Sequence, residues 1–262
     1  MEQFFDIIVV VFLGLVLGSF ATALCYRLPR DLSMVTKIHS QCPSCAHNLG
    51  VADLVPLFSW IFLKGKCRYC RAPIGVQYPL IELATLGLSL LFYFVYGLKP
   101  ETAAIFLLAP VLVSIIDIDL RYKIIPDSLN LAILGTGVAA LGINAVMAAQ
   151  PVDFIMEQGA PALGGAVMYG LCSLLLRQTA QAILKREPMG LGDIKFFAAA
   201  GFWLGLNPNA AALLMFISGL SGIILALVWK KRTGEAEVPF GPSLIIAFIT
   251  ALCFFPPPFM AG

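Results

Sequence analysis

Apolar runs of near-membrane length dominate this sequence, at residues 4–26, 79–97, 102–117, 128–148, 160–177, 190–206, 210–229 and 239–256. A hydrocarbon core about 30 Å thick takes roughly 20 helical residues to cross. Within it a chain must satisfy its own backbone hydrogen bonds, so runs of this kind are helices. With 60% of residues apolar and only 12% charged, a water-soluble globule is excluded. The expected fold is an all-α polytopic membrane protein with about eight transmembrane helices, embedded in a lipid bilayer. The third and sixth runs stand apart because they carry Asp117 and Asp193.

The first run has a possible cleavage site at Ala21-Thr22-Ala23, yet its flanks argue for a retained helix. Met1-Glu2-Gln3 is acidic where a signal peptide is basic, and Arg27 and Arg30 follow the run. Segment 27–78 holds seven Lys/Arg (Arg27, Arg30, Lys37, Lys64, Lys66, Arg68, Arg71) against Asp31 and Asp53, 7 − 2 = +5. Such an excess marks a cytoplasmic segment. Alternation from there, with eight spans and both termini outside, puts 16 of the 17 cations on that side, with Lys99 the exception. The overall charge of +2 gives no sign of a nucleic-acid partner. The expected organisation is an N-terminal transmembrane helix (1–26), a cytoplasmic zinc-ribbon-like domain (27–78) and a membrane-embedded core (79–262). No sequence repeat is evident.

Cys42-Pro-Ser-Cys45 and Cys67-Arg-Tyr-Cys70 are two C-x-x-C pairs on a segment of about 50 residues with little core of its own. Each pair presents two thiolates from a tight turn, and four thiolates complete the tetrahedral shell of a structural Zn²⁺, which can supply much of the folding free energy of such a segment. Redox dithiols and unrelated thiols are the alternatives. Cys25, Cys172 and Cys253 fall in apolar runs and are expected to be small core residues. His39 and His47 flank the first pair and are expected to be solvated loop residues.

Ionisable groups in or beside spans are costly and mark functional sites. One group is Asp117-Ile-Asp119 with Pro126-Asp127; the other is Gly190-Leu-Gly192-Asp193-Ile-Lys195. Two carboxyls sharing a poorly solvated site do not both ionise, so one serves as base toward water while the other, protonated, polarises a carbonyl. Asp117 and Asp193 are the candidates for that pair. Gly190 and Gly192 would let an extended substrate approach the backbone, and Lys195 would be a counter-ion or headgroup anchor. The alternative is that Asp119, Asp127 and Asp193 cap helices or pair with Arg121, Lys123 and Lys195. For Asp127 capping and catalysis stand equal; for Asp119 pairing or substrate positioning is expected.

These segments, in this order, resemble the type IV prepilin peptidases, also called leader peptidase/N-methyltransferases, a GxGD-type membrane aspartyl protease family. Gly18-Ser19-Phe20 with Tyr26-Arg27-Leu28-Pro29 is similar to its N-terminal motif, and the stretch from Cys42 through Ser59-Trp60, Gly65-Lys66-Cys67 and Tyr78-Pro79-Leu80 to Glu82 to its zinc-bearing domain. Asp117 with Ile125-Pro126-Asp127, Gly190 to Lys195, and Phe240-Gly241-Pro242 are similar to its catalytic segments and final span. Thr22, Gly75 and Gln77 stand where the family usually has Asn, Ser and Arg.

The resemblance implies an aspartic endopeptidase of the bacterial inner (cytoplasmic) membrane, with its active site facing the cytoplasm. It would remove the basic leader of prepilins and pseudopilins of type IV pilus and type II secretion systems. It implies catalysis by Asp117 and Asp193, zinc held by Cys42, Cys45, Cys67 and Cys70, and N-methylation with S-adenosylmethionine as donor. Glu82, with Asp31 or Asp53, would attract the leader's cations, or Glu82 would be a buried partner for Lys or Arg. A peptidase without methylation is one alternative. Another is a proton- or cation-coupled transporter with a zinc module, which would place its carboxylates near the bilayer midplane.

Overall fold

A computed structural model describes residues 2–34, 40–185, 189–235 and 237–260. Met1, Lys37, His39 and Arg186 lie outside them. Among the described residues the protein is nearly all helical and contains no sheet. In chain order the helices are α1 (Glu2–Arg27), α2 (Phe58–Phe62), α3 (Gln77–Tyr96), α4 (Ala103–Phe106), α5 (Leu108–Tyr122), α6 (Asp127–Met147), α7 (Pro151–Leu184), α8 (Leu191–Leu204), α9 (Pro208–Thr233) and α10 (Gly241–Phe254).

By length and composition, six stretches suffice to cross a membrane: Gln3–Arg30, Gln77–Tyr96, Pro100–Tyr122, Asp127–Met147, Pro151–Ile183 and Pro208–Thr233. The remaining two expected runs are helical but short, α8 and α10 having 14 residues each, about 21 Å of rise. Two boundaries differ from expectation. Pro110 lacks the N–H that would reach back to Phe106, and the chain breaks between α4 and α5 at Leu107. The helix then continues to Tyr122, so Asp117 and Asp119 sit inside it. The loop expected near 149–160 is instead the start of α7, with proline at its first position and Asp153 in its first turn, both favourable to a helix N-terminus.

The chain divides into two compact units. The first comprises Met1–Leu98 and Ala109–Asp117. Here α1 packs closely along α3 because Gly14 and Gly18, one helical turn apart, face it. A Cβ on Gly18 would lie 2.8 Å from the Glu82 Cα, and one on Gly14 would lie 3.1 Å from the Leu86 Cα. Small residues at this spacing let two backbones approach where lipid offers no hydrophobic drive between helices. The Ser114 hydroxyl donates to the Pro110 carbonyl at 2.6 Å and lies 3.4 Å from that of Ala21.

The second unit comprises Lys99–Leu108 and Ile118–Gly262. Its core holds the fully buried Trp203, Phe196, Phe197 and Phe248. The Trp203 indole N–H is satisfied by the Ile133 carbonyl at 2.9 Å, and Phe196 meets Phe248 edge-on at 5.7 Å, a favourable ring geometry. Helix α7 buries Ala162, Tyr169 and Ser173 along one stripe. Cys172 lies off that stripe and is exposed, not a core residue as expected, whereas Cys25 is buried and Cys253 half-buried. Exposed Phe216, Ile223 and Leu227 on α9 give an apolar surface suited to lipid.

Candidate active site and metal centre

The two C-x-x-C segments fold as the same turn made twice. In the first, the Cys42 N–H donates to the His47 carbonyl (3.0 Å) and the Ala46 N–H to that of Cys42 (2.8 Å). In the second, the Cys67 N–H donates to Ala72 (2.8 Å) and the Arg71 N–H to Cys67 (3.0 Å). Ala46 (φ 56°) and Arg71 (φ 62°) are both left-handed, and bridges Gln41–Asn48 and Lys66–Pro73 close the two turns. A backbone repeat is therefore present that the residues, apart from the cysteines, conceal.

The four sulfurs lie within 4.8 Å of one another, with Cys42 Sγ 3.9 Å from Cys70 Sγ. Zn–S bonds of about 2.3 Å in a tetrahedron place sulfurs about 3.8 Å apart, so these residues fit the ion. Cys42 and Cys67 are buried, while the second member of each pair is more open. Burial alone would raise the Cys42 thiol, but hydrogen bonds from the Cys45 and Ser44 backbone and from neighbouring thiols outweigh it and bring it down to about 7. At Cys70 the Ala72 backbone hydrogen bond lowers the thiol, yet burial and the three neighbouring sulfurs prevail and push it up to about 11. Four thiolates thus crowd one another unless a cation sits among them.

His47 is exposed and stacks on Tyr69 at 3.6 Å between ring centroids; it is not among the grouped ligands. Asp53 is tied into the module and does not stand as an open acid. Its carboxylate accepts from Arg68 Nε (2.6 Å), the Gly50 N–H (3.1 Å) and the Tyr69 hydroxyl (3.2 Å). The Arg68 hydrogen bond, helped by Gly50, outweighs burial and holds the carboxyl below its usual range. Asp31 closes the short helix after α1 with a left-handed backbone (φ 53°).

A cavity of about 880 Å³ opens in this unit. Its walls include Arg27 of α1, Tyr78 and Glu82 of α3, Trp60, and both buried cysteines, Cys42 and Cys67. Thr22, Gly75 and Gln77, the departures from the family pattern, also line it. Arg27 and Glu82 are each 9% exposed. Glu82 accepts the Leu57 N–H at 2.7 Å, a backbone partner where a Lys or Arg was one expectation. Leu57 carries φ 61°, a conformation costly for leucine that aims its N–H at this buried carboxylate. Arg27 belongs to the Tyr26–Pro29 motif segment, whereas the Leu57 contact has no linear motif.

Asp117 is half-buried on α5. In the second unit, Asp193 is half-buried at the third position of α8, and its carboxylate accepts the N–H of Gly190 at 3.0 Å, as a helix-start acid does. Gly190 has φ −70° and ψ 158°, extended values that any residue adopts. Gly192 matters for packing, since a Cβ there would meet Ile125 at 3.2 Å. The Gly192 carbonyl accepts from Asn130 Nδ2 at 3.1 Å. The loop before Asp193 is thereby fastened to the Ile125 segment and to α6. Lys195 forms an ion pair with both carboxylate oxygens of Asp127, each at 2.7 Å. Asp119 does not pair with Arg121, Lys123 or Lys195; it is buried and accepts the N–H of Gly241 at 2.6 Å. Lys123 pairs with Glu235 at 2.7 Å.

Comparison with known proteins places these features in context. Residues 12–96 match the bacterial peptidase A24 N-terminal domain and residues 105–227 match the type IV leader peptidase family. A type 4 prepilin-like proteins leader peptide-processing enzyme of Escherichia coli is 32% identical, covering 91% of this chain and 90% of its own. A prepilin leader peptidase/N-methyltransferase of Xanthomonas campestris is 34% identical over 90% of this chain and 86% of its own, and one of Aeromonas hydrophila 35% over 81% and 70%. No solved structure matches the chain.

Proposed function

Since the chain belongs to the type IV leader peptidase family, we propose that it cleaves the basic leader from type IV prepilins or pseudopilins and then methylates the exposed N-terminus. Six membrane-length apolar helices and this family make it a multi-pass bacterial membrane protein. The charge asymmetry favours the inner membrane with the cytosolic segment 27–78 and the cleavage site on the cytoplasmic side. The proposed functional division keeps 1–26 as an anchoring helix, 27–78 as the metal-bearing domain and 79–262 as the peptidase core.

In this reading Asp117 and Asp193 share one water. The ionised carboxylate takes a proton from it while the protonated one donates to the scissile carbonyl. The water oxygen bonds to the carbonyl carbon, the C–N bond breaks, and the amine leaves with a proton. The observation that carries the assignment is the fastening of the Gly190–Asp193 loop to Ile125 and Asn130, which pre-positions one carboxylate at a helix start. Pre-positioning of this kind is where enzymes gain most. Asp119, Asp127 and Lys195 support the site; Gly190 and Gly192 border the path of the substrate. Zinc on Cys42, Cys45, Cys67 and Cys70 is structural.

When bound, S-adenosylmethionine supplies an electrophilic methyl group. The new amine must be neutral to take it, and loses a further proton as the N–C bond forms and the carbon–sulfur bond breaks.

The test is incubation of the detergent-purified chain with a prepilin and S-adenosylmethionine, followed by mass spectrometry of the product N-terminus. Loss of the leader and gain of one methyl group is expected, and Asp117→Asn and Asp193→Asn should each stop cleavage. Full cleavage by both variants overturns the catalytic assignment. Cleavage without methyl gain reduces the function to a peptidase.

A further inference from the structure

We propose that the segment 51–62, between the two cysteine turns, is set into the cytoplasmic leaflet of the membrane, with Phe58, Ile61 and Phe62 among acyl chains and Lys64 and Lys66 at anionic lipid headgroups. The orientation proposed above supplies only which leaflet is meant; the insertion itself is argued from contacts, exposure and charge.

Two contacts fix the level of this segment along the spanning helices. The Leu57 N–H donates to the Glu82 carboxylate at 2.7 Å, and Glu82 lies five residues beyond the start of α3, about 7–8 Å along it. The Ser19 hydroxyl lies 3.5 Å from the Leu54 carbonyl, and Ser19 comes eight residues before the end of α1, about 12 Å of rise. Both anchors belong to stretches of membrane-crossing length, Gln3–Arg30 and Gln77–Tyr96. The segment therefore runs beside the spans and not beyond their ends.

Its two sides are arranged for lipid. Ser59, Trp60 and Leu63 turn inward and line the cavity, and the Trp60 indole N–H is spent on the Ile74 carbonyl at 3.1 Å. Phe58, Ile61 and Phe62 are not on the cavity wall and are 52%, 60% and 80% exposed. The hydroxyl faces the protein while the large apolar groups face away from it, the reverse of what water selects. Leu80 and Leu83, in the same turns of α3 as Glu82, are exposed as well. Unpaired backbone groups are costly at bilayer depth. The N–H groups of Leu57, Ser59, Ile61 and Leu63 all have acceptors within the protein, at Glu82, Val55, Leu57 and Ser59 in turn. The left-handed backbone of Leu57 thus has a use, since it brings an otherwise free N–H to a carboxylate.

Charge selects the occupant of this face. Lys64 and Lys66 follow it directly, are exposed, and form no ion pair among the described residues. Cations beside an inserted apolar face attract anionic headgroups. The basic leader of a prepilin would be repelled by them, and a second copy of this chain would bring the same two lysines.

The experiment reconstitutes the zinc-loaded chain in nanodiscs of phosphatidylethanolamine and phosphatidylglycerol. Phe62 is replaced by the photo-cross-linker p-benzoylphenylalanine, and adducts are identified by mass spectrometry. The same replacement at Phe94, exposed on the apolar run of α3, sets the yield for a side chain in lipid. Lipid adducts at 62 are expected within about threefold of that yield, and Lys64→Glu with Lys66→Glu should reduce them. A lower yield at 62, or an adduct mainly to a second copy or to added prepilin, overturns the insertion. A yield that the two glutamates leave unchanged overturns the headgroup contact. If the replacement at 62 lowers zinc below one per chain, the measurement is made at Ile61. Prepilin cleavage by the parent chain, assayed separately, decides the proposed function, so the two readings fail independently.

Discussion

The carboxylate of Asp119 accepts the N–H of Gly241 at 2.6 Å, which locks the end of α5 to the first residue of α10. A Cβ on Gly241 would stand 2.9 Å from that carboxylate, so the pair is matched in shape as well as in charge. Gly241→Ala is expected to cost about 1–3 kcal/mol by overpacking. Asp119→Ala, which leaves a buried N–H without its acceptor, should cost about the same. Asp119→Asn keeps an acceptor oxygen and should cost less. Thermal melting in detergent reads the order; an alanine at 241 that melts with the parent chain would show that the contact does not constrain α10.

A bulky residue at Gly18 cannot be absorbed by a side-chain shift, because its neighbour at 2.8 Å is the Glu82 backbone. Gly18→Leu should separate α1 from α3 and lower the melting temperature by an amount equivalent to about 1–3 kcal/mol. Gly14→Ala meets atoms at 3.0–3.2 Å, the nearest of them a leucine methyl, and should be milder. Equal melting of Gly18→Leu and the parent would refute the close packing.

Metal removal should unfold the cysteine turns selectively. Structural zinc contributes on the order of 10 kcal/mol to small modules of this kind, and the residues between Ser40 and Ile74 have few other long-range ties. Chelation, or Cys42→Ser, is expected to make this stretch the first site of proteolysis while the helical content changes little. Metal analysis should find one zinc per intact chain, and a value well below that removes the ribbon assignment.

The Asp53–Arg68 pair carries a pH signature. Arg68 lowers the Asp53 carboxyl from its ordinary value of about 3.9. The pair's contribution is therefore fully present above that value and is lost as pH falls through the lowered one. Between neutrality and about pH 5 the contribution is constant, so it adds no pH dependence there. Carboxyl-carbon NMR of labelled aspartate should show Asp53 titrating below 3.9, and Arg68→Ala should return it upward. Arg68 is 48% exposed on its side chain, so salt should shrink the shift. An unchanged midpoint in the Arg68 variant would refute the coupling.

Lys195 and Asp127 pair at 2.7 Å, but their side chains are 52% and 65% exposed. Such a pair contributes about 0–1 kcal/mol. Lys195→Ala should melt with the parent chain, so any loss of cleavage in that variant reports contact with the substrate or the lipid surface. A large drop in melting temperature would instead make the pair structural.

Much of this was legible in the residues. The apolar runs specify the helices because a lipid core leaves no alternative, and the C-x-x-C pairs specify a sulfur cluster because four thiols on two tight turns can converge. Helix ends were less legible. Pro110 splits one expected span and the proline at 151 starts α7 earlier than the polar residues suggest, because a proline's effect depends on which carbonyl it leaves without a donor. Least legible were contacts from side chain to distant backbone: Asp119 to Gly241, Glu82 to Leu57 and Asn130 to Gly192. Each joins residues far apart in sequence, and the carbonyl or N–H it uses belongs to every amino acid alike. Gly190 illustrates the converse, since its place in a glycine-rich motif points to close backbone approach, yet its dihedrals are ones any residue adopts.

Helix α8 begins two residues before Asp193 and rises only about 21 Å, short of a hydrocarbon layer about 30 Å thick. If α8 crosses the bilayer, the shortfall of about 9 Å would be made up by a thinned bilayer or by a wet vestibule. A hydrolase in lipid must be supplied with water, and a helix too short to cross would offer an entrance for it. Rapid deuterium uptake by amides from Leu191 to Phe197, against slow uptake in the middle of α6, is the expected mark of that hydration; equal protection would mean the gap is closed by lipid.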